Sequence, residues 1–163
     1  MKAKIKFLTT GGTIDKVYFD AKSEFQVGPP QVTELLKDAN VTFAYEVESI
    51  LRKDSLDLTD ADRALIRERV LADPAELIVI THGTDTMILT ARALKGIEGK
   101  TIVLTGSMQP ARLRVTDAAF NLGTAVSAVQ TLPPGVYLAM NGQIFNPDSS
   151  RKNVGEHRFE EIA

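Results

Sequence analysis

"ELIVITHGTDTMILTARALKG", Glu76 to Gly96, reads as a strand, a turn and a helix in one unbroken run. Its apolar stretch is continuous rather than alternating, which suits a strand buried on both faces of a parallel sheet. The run stops at a threonine, a histidine and a glycine. "TDTMILTARALKG" then carries helical patterning as far as Gly96, which stands where a helix C-terminal cap belongs. A strand that passes straight into a helix is the repeating unit of a parallel α/β sheet.

The same unit recurs on both sides. "KTIVLTGS", Lys100 to Ser107, is a second continuous run, Ile5 to Leu8 a candidate first strand, and "GVYLAMNG" from Gly135 a weaker fifth. Val41 to Leu51 reads as a further strand with Phe43, Tyr45 and Val47 on one face. Between these lie helical patterns. "QVTELLKDA" places Val32, Leu35, Leu36 and Ala39 at helical spacing. "LTDADRALIRERVLAD" opens on Thr59 as N-cap with Asp62 behind it, presents Leu65, Ile66 and Val70, and closes at Pro74. "TDAAFNLGTAVSAVQ" carries Phe120, Leu122, Val126 and Val129. The alternation predicts a single doubly wound α/β domain over residues 1–163, with a mostly parallel sheet in flavodoxin-like order between two helical layers. Residues 10 to 30 read as a long functional loop. The tail "NPDSSRKNVGEHRFEEIA" reads as polar, with little core content.

Composition narrows the function. With 163 residues, 44% of them hydrophobic, the chain has material for one compact core. The 21 acidic and 19 basic residues are dispersed, so nothing marks a nucleic-acid or anionic-membrane partner. The absence of cysteine excludes disulfides, thiolate metal sites and a cysteine nucleophile, and fits a reducing compartment. No apolar stretch approaches a membrane span, and the amino-terminal apolar run breaks at Thr9. The expectation is a soluble, cytoplasmic protein.

In an open parallel sheet, ligands sit beyond the carboxyl ends of the strands, near the point where strand order reverses. The segments placed there are "TTGGTID", "THGTDTM" and "TGSMQP", each joining hydroxyl residues to glycine. Together they suit a small polar substrate. Each also has a plainer reading. A Gly-Gly after a strand is often only a tight turn, Thr84 could merely cap the next helix, and His82 fits packing beneath the loop better than service as a base. The segments lack a dinucleotide fingerprint, a phosphate loop, a serine-hydrolase elbow and metal-ligand spacing, so neither cofactor nor metal is expected.

Taken together, "TGGTID" (Thr10 to Asp15), "ITHGTDTM" from Ile80, and "TGSMQP" followed by "DAAFNL" resemble the bacterial-type L-asparaginase family, whose members hydrolyse the side-chain amide of asparagine. The resemblance implies two candidate nucleophiles, Thr13 and Thr84, with Asp85 and Lys152 as the groups that activate one of them. It also implies that Asp85 meets the substrate's α-ammonium group and Ser55 its α-carboxylate, with Gly12 and Gly83 letting substrate approach the backbone. No cofactor is implied. The family's oligomeric habit implies a homo-oligomer, a dimer or a tetramer, covered in part through the loop around Met108 and Pro110.

The chain also departs from the pattern. Phe25 occupies the place of a mobile-loop tyrosine, which leaves Tyr18 in the same loop to supply a hydroxyl. Leu56 replaces a glutamine after Ser55, and Gln109 replaces an arginine. Typical members continue into a second domain; the expectation here is a short branch made of the first domain alone. Glutamine or another small amide as substrate, and a silent amino-acid-binding role, stay open as alternatives.

Overall fold

The computed structural model describes residues 3–163. In chain order the elements are β1 (Ile5–Gly11), β2 (Lys16–Phe19), β3 (Glu24–Val27), α1 (Val32–Asp38), β4 (Tyr45–Lys53), α2 (Asp60–Ala72) and β5 (Leu77–Thr81). There follow α3 (Met87–Ala93), β6 (Thr101–Thr105), α4 (Ala118–Thr131), β7 (Gly135–Met140), β8 (Gln143–Phe145), β9 (Ser150–Asn153) and β10 (Arg158–Glu161). The central sheet runs β4-β1-β5-β6-β7-β8, parallel up to β7 and closed at one edge by antiparallel β8. Its five parallel strands stand in the flavodoxin-like order expected, and the order reverses between β1 and β5.

Alternation along each strand divides the core in two. Ile78, Ile80, Ile102, Leu104, Leu138 and Met140 face α2 and α3, where Ile66, Val70, Met87, Ala91 and Leu94 meet them. Ile5, Phe7, Val79, Val103 and Ala139 face the other way, toward Val32 and Leu36 of α1 and Leu122, Ala125 and Val129 of α4. The sheet is therefore the middle of three layers, and its strands need apolar residues at successive positions because both faces are covered. Thr59 caps α2 as expected. Its hydroxyl accepts from Asp62 N at 3.2 Å while the Asp62 carboxylate accepts from Thr59 N at 2.9 Å, a reciprocal capping box.

Three expectations are corrected. The second parallel strand begins at Tyr45, although Phe43 still packs on the same core as Tyr45 and Val47. Residues 10 to 30 are not a loop. β2 and β3 pair as an antiparallel hairpin that follows one short 3-10 turn, Thr13–Asp15, and is connected through another, Asp20–Lys22. The polar tail also has a core role: β9 and β10 form a second hairpin, and Phe159 is buried against Phe145 with ring centroids 6.3 Å apart. One well-placed aromatic is enough to dock a hairpin that is otherwise polar.

Candidate active site

The carboxyl edge is assembled by close backbone contact. β1 and β5 pair through Thr9 and Thr81, then turn away at glycines. Gly12 has φ 85°, and a β-carbon on it would lie 2.5 Å from Gly83 Cα. A β-carbon on Gly83 would in turn lie 2.5 Å from Ser55 Cβ and 2.6 Å from its Oγ. Only glycine permits this approach, so the turns after β1, β4 and β5 are stacked on one another. Thr13, Ser55 and Thr84 follow from that stacking, since each belongs to one of the three turns. Gly12 N donates to Lys53 O at 2.9 Å and secures the β1 turn to the end of β4.

Thr84 is not the helix cap that its position allowed. The N-cap of α3 is Thr86, whose hydroxyl donates to Ser55 O at 2.8 Å and so holds the serine turn. The Thr84 hydroxyl accepts from Lys152 Nζ at 2.8 Å, and the same ammonium meets Asp85 Oδ1 at 2.6 Å. Lys152 comes from β9. Phe159 stands directly opposite it across the hairpin, so the buried ring orients the strand that delivers the lysine. The lysine side chain is only 14% exposed.

His82 lies beneath this group, fully buried. Its Nδ1 lies 2.6 Å from Gly83 O and its Nε2 2.7 Å from Thr90 Oγ1. A carbonyl can only accept, so Nδ1 carries the proton and Nε2 accepts from the threonine. Burial pushes its pKa down to about 4, with the Gly83 carbonyl opposing and Arg63 adding to the fall. The imidazole is a neutral brace of the loop, as its place in the sequence suggests.

Asp15 is buried just beyond Thr13. Burial pushes its carboxyl up to about 7, against the Gln31 N–H that donates to Oδ1 at 2.9 Å and the charge of Arg52. Tyr18 and Phe25 are cross-strand partners on the β2–β3 hairpin, with rings 5.5 Å apart. A tyrosine thus stands opposite the phenylalanine, on the same face. Tyr18 is 53% exposed, and among the described residues its hydroxyl makes no hydrogen bond to Thr13, Thr84 or Lys152. The structure therefore joins Thr84, Asp85 and Lys152 directly and brings Thr13, Ser55, Gly12 and Gly83 alongside, but it leaves Tyr18 outward.

The 4–159 segment matches the family model described as "Asparaginase, N-terminal". The chain belongs to the asparaginase family. This asparaginase-family chain is 33% identical over 153 residues to a glutamyl-tRNA(Gln) amidotransferase subunit of Methanococcus vannielii, covering 86% of itself and 34% of that protein. It is 33% identical over 177 residues to a glutaminase-asparaginase of Acinetobacter glutaminasificans, covering 96% of itself and 51% of the relative. The thermostable L-asparaginase from Thermococcus kodakarensis superposes with a TM-score of 0.84 at 31% identity, over 98% of this chain and 51% of that one. The chain spans from a third to about half the length of these relatives.

Several supports of the asparaginase-type edge carry no local sequence signal. Asp117, at the start of α4, accepts from Met108 N at 2.9 Å and Gln109 N at 3.0 Å, and Asn121 donates to Gly106 O at 2.9 Å. The loop in which Gln109 replaces an arginine is thus held by its backbone, while Gln109 and Arg112 point outward. Lys16 Nζ meets Asp54 Oδ2 at 2.9 Å across the mouth of the site. Among the described residues, no group of three His, Cys, Asp or Glu side chains is placed to hold a metal, and no helix is long and apolar enough to cross a membrane.

Proposed function

We propose that residues 1–163 act as the catalytic domain of an amidohydrolase that converts L-asparagine to L-aspartate and ammonia through a threonine nucleophile. The observation that carries this is the contact of Lys152 Nζ with both Thr84 Oγ1 at 2.8 Å and Asp85 Oδ1 at 2.6 Å. A threonine hydroxyl attacks an amide carbonyl only when a base takes its proton and a further group orients that base. Lys152 is in reach of the hydroxyl and takes its proton as the neutral amine, becoming the ammonium, and Asp85 fixes Lys152.

Thr13 lies across the glycine stack from Thr84 and presents a second hydroxyl to the same amide. Attack places negative charge on the carbonyl oxygen, and backbone N–H groups of the turns that follow Gly12 and Gly83, other than the Gly12 N–H held by Lys53 O, are suited to receive it, each such donor contributing about 3 kcal/mol. The carbon–nitrogen bond then breaks, ammonia leaves with the proton, and water cleaves the threonyl ester. Asp85 and Ser55 hold the α-ammonium and α-carboxylate groups. Tyr18, facing Phe25, supplies the hydroxyl that Phe25 lacks once the hairpin closes on substrate.

Ammonia release from asparagine and from glutamine, measured on the wild type and on Thr13→Ala and Thr84→Val, tests the reading. Loss of turnover in both variants with circular dichroism unchanged supports it. Full turnover in either variant removes that threonine from the mechanism, and mass spectrometry of the trapped ester shows which one is acylated. The glutaminase-asparaginase relative favours a second substrate reading, glutamine, and the two-substrate assay decides it. We further infer a homo-oligomeric working form. Pro110 is buried, so the apolar surface on that loop belongs instead to Leu113 and Val115. A fully active monomer in light scattering would refute it.

A further inference from the structure

Asp54 stands between two parts of the site that the chain brings from far apart. Its Oδ1 accepts from Leu56 N at 3.1 Å and closes the 3-10 turn Ser55–Asp57, which seats Ser55 against Gly83. Its Oδ2 meets Lys16 Nζ at 2.9 Å, and Lys16 opens β2 immediately after the Thr13–Asp15 turn. One carboxylate therefore holds the serine turn with one oxygen and the hairpin with the other.

Both side chains are partly withdrawn from water, at 25% exposure for Lys16 and 32% for Asp54, so their attraction is less screened than that of a surface pair. Burial alone would raise the Asp54 carboxyl. Lys16, the Leu56 N–H and the nearby charge of Lys152 outweigh it and hold the group below the usual carboxylate range, so it is ionised at neutral pH. The two arms are tied to each other at the base of the hairpin, where Gly28 N donates to Asp15 O at 2.8 Å and Gln31 N to Asp15 Oδ1 at 2.9 Å. Loss of the Lys16–Asp54 pair unties β2 from the serine turn, while the base of the hairpin stays held at Asp15 and by Ala111 N, which donates to Ile14 O at 3.1 Å.

We propose that Asp54 is a positioning residue of the amide-hydrolysing site, fixing Thr13 and Tyr18 through Lys16 and fixing Ser55 through the Leu56 N–H. This rests on the amidohydrolase reading above. Because the two oxygens serve different groups, different substitutions separate them. Lys16→Met and Asp54→Asn abolish the ion pair and keep an oxygen for Leu56 N. Each lowers kcat about tenfold with KM within about twofold, as expected when a reacting group is misplaced but binding survives. Asp54→Ala also releases the serine turn and raises KM about fivefold further. Lys16→Arg recovers most of the turnover. The double variant Lys16→Met/Asp54→Asn is no worse than either single one.

The experiment pairs steady-state kinetics with hydrogen exchange of the β2 amides. Faster exchange in β2 with unchanged exchange in β5 and β6, together with the kcat and KM separation, supports the proposal. Wild-type kcat and wild-type β2 exchange in Lys16→Met overturn it, as does an Asp54→Ala variant indistinguishable from Asp54→Asn in both constants. Exchange is read without substrate. If the wild type releases no ammonia from any amide, the amidohydrolase reading fails, and the exchange arm still decides whether Asp54 fastens the hairpin.

Discussion

Lys6 and Lys152 sit toward opposite ends of the sheet, both largely shielded from solvent, and they differ in what surrounds them. Lys6, 6% exposed, meets three carboxylates: Glu46 at 2.8 Å, Glu48 at 3.1 Å and Asp73 at 3.3 Å. Burial by itself would favour the neutral amine, but the three anions overcome it and drive the lysine further toward the cation. Lys152 meets one carboxylate and one hydroxyl. A lysine saturated with carboxylates is held as a cation, with no partner that has a proton to give up, and serves as a structural charge. A lysine shared between one anion and one hydroxyl has a partner that can give up a proton. On the proposed mechanism, the hydroxyl partner is what separates a lysine that primes a reaction from one that ties down the fold.

The contrast can be broken at either end. Lys152→Met is expected to reduce turnover about a thousandfold, the scale of general acid–base catalysis, with the urea midpoint little changed. Lys6→Met is expected to do the reverse, leaving kcat intact and lowering stability by about 3 kcal/mol because it leaves crowded carboxylates uncompensated. A Lys6→Met protein with normal stability and low activity would invert the comparison. Asp15 sharpens it from the carboxyl edge, where a buried carboxyl has no cation hydrogen-bonded to it. Its folded pKa of about 7 lies above the ordinary value of 3.8, so the native state holds the proton more tightly than the unfolded chain. This residue therefore costs nothing below about pH 4. Its cost grows by about 1.4 kcal/mol per pH unit up to about 7 and is constant above that. Asp15→Asn should remove that slope, as measured by urea unfolding at pH 5 and pH 8. Tyr18→Phe should lower turnover about tenfold with little change in stability, consistent with one proton-relaying group among several. Normal turnover would remove the relay only. Thr10, whose hydroxyl donates to Thr81 O at 2.8 Å, serves the backbone rather than the substrate. Thr10→Ser keeps that bond and should change turnover by less than about twofold.

Where the sequence is readable, the cause is local. The runs at Ile78–Ile80 and Ile102–Leu104 show their strands because both faces of the sheet are covered, and the Thr59 and Asp62 pair announces α2 within four residues. The glycines at 11 and 12 announce a turn because both have positive φ. The β2–β3 hairpin is not readable. Its turn places Ser23 at φ 50° in place of the usual glycine or asparagine, and its aromatic residues are exposed, so neither turn chemistry nor apolar alternation betrays it. Lys152 is identified only through family resemblance, since nothing in "SSRKNVGEH" marks it. Its placement is set by the hairpin that Phe159 docks, and one buried phenylalanine in a polar tail leaves no periodic signal. The Lys16–Asp54 pair is invisible for the same reason as any tertiary ion pair: both residues are ordinary surface types until the fold brings them together.

The β9 hairpin gives the site a place in time. Lys152 reaches Thr84 across 68 residues of chain. During synthesis from the amino end, all five parallel strands, through Met140, have been made before residue 152 exists. The sheet and its glycine turns can therefore be in place before the residue proposed to take the threonine proton has been made. On the proposed mechanism, chemical competence waits for the hairpin that carries Lys152.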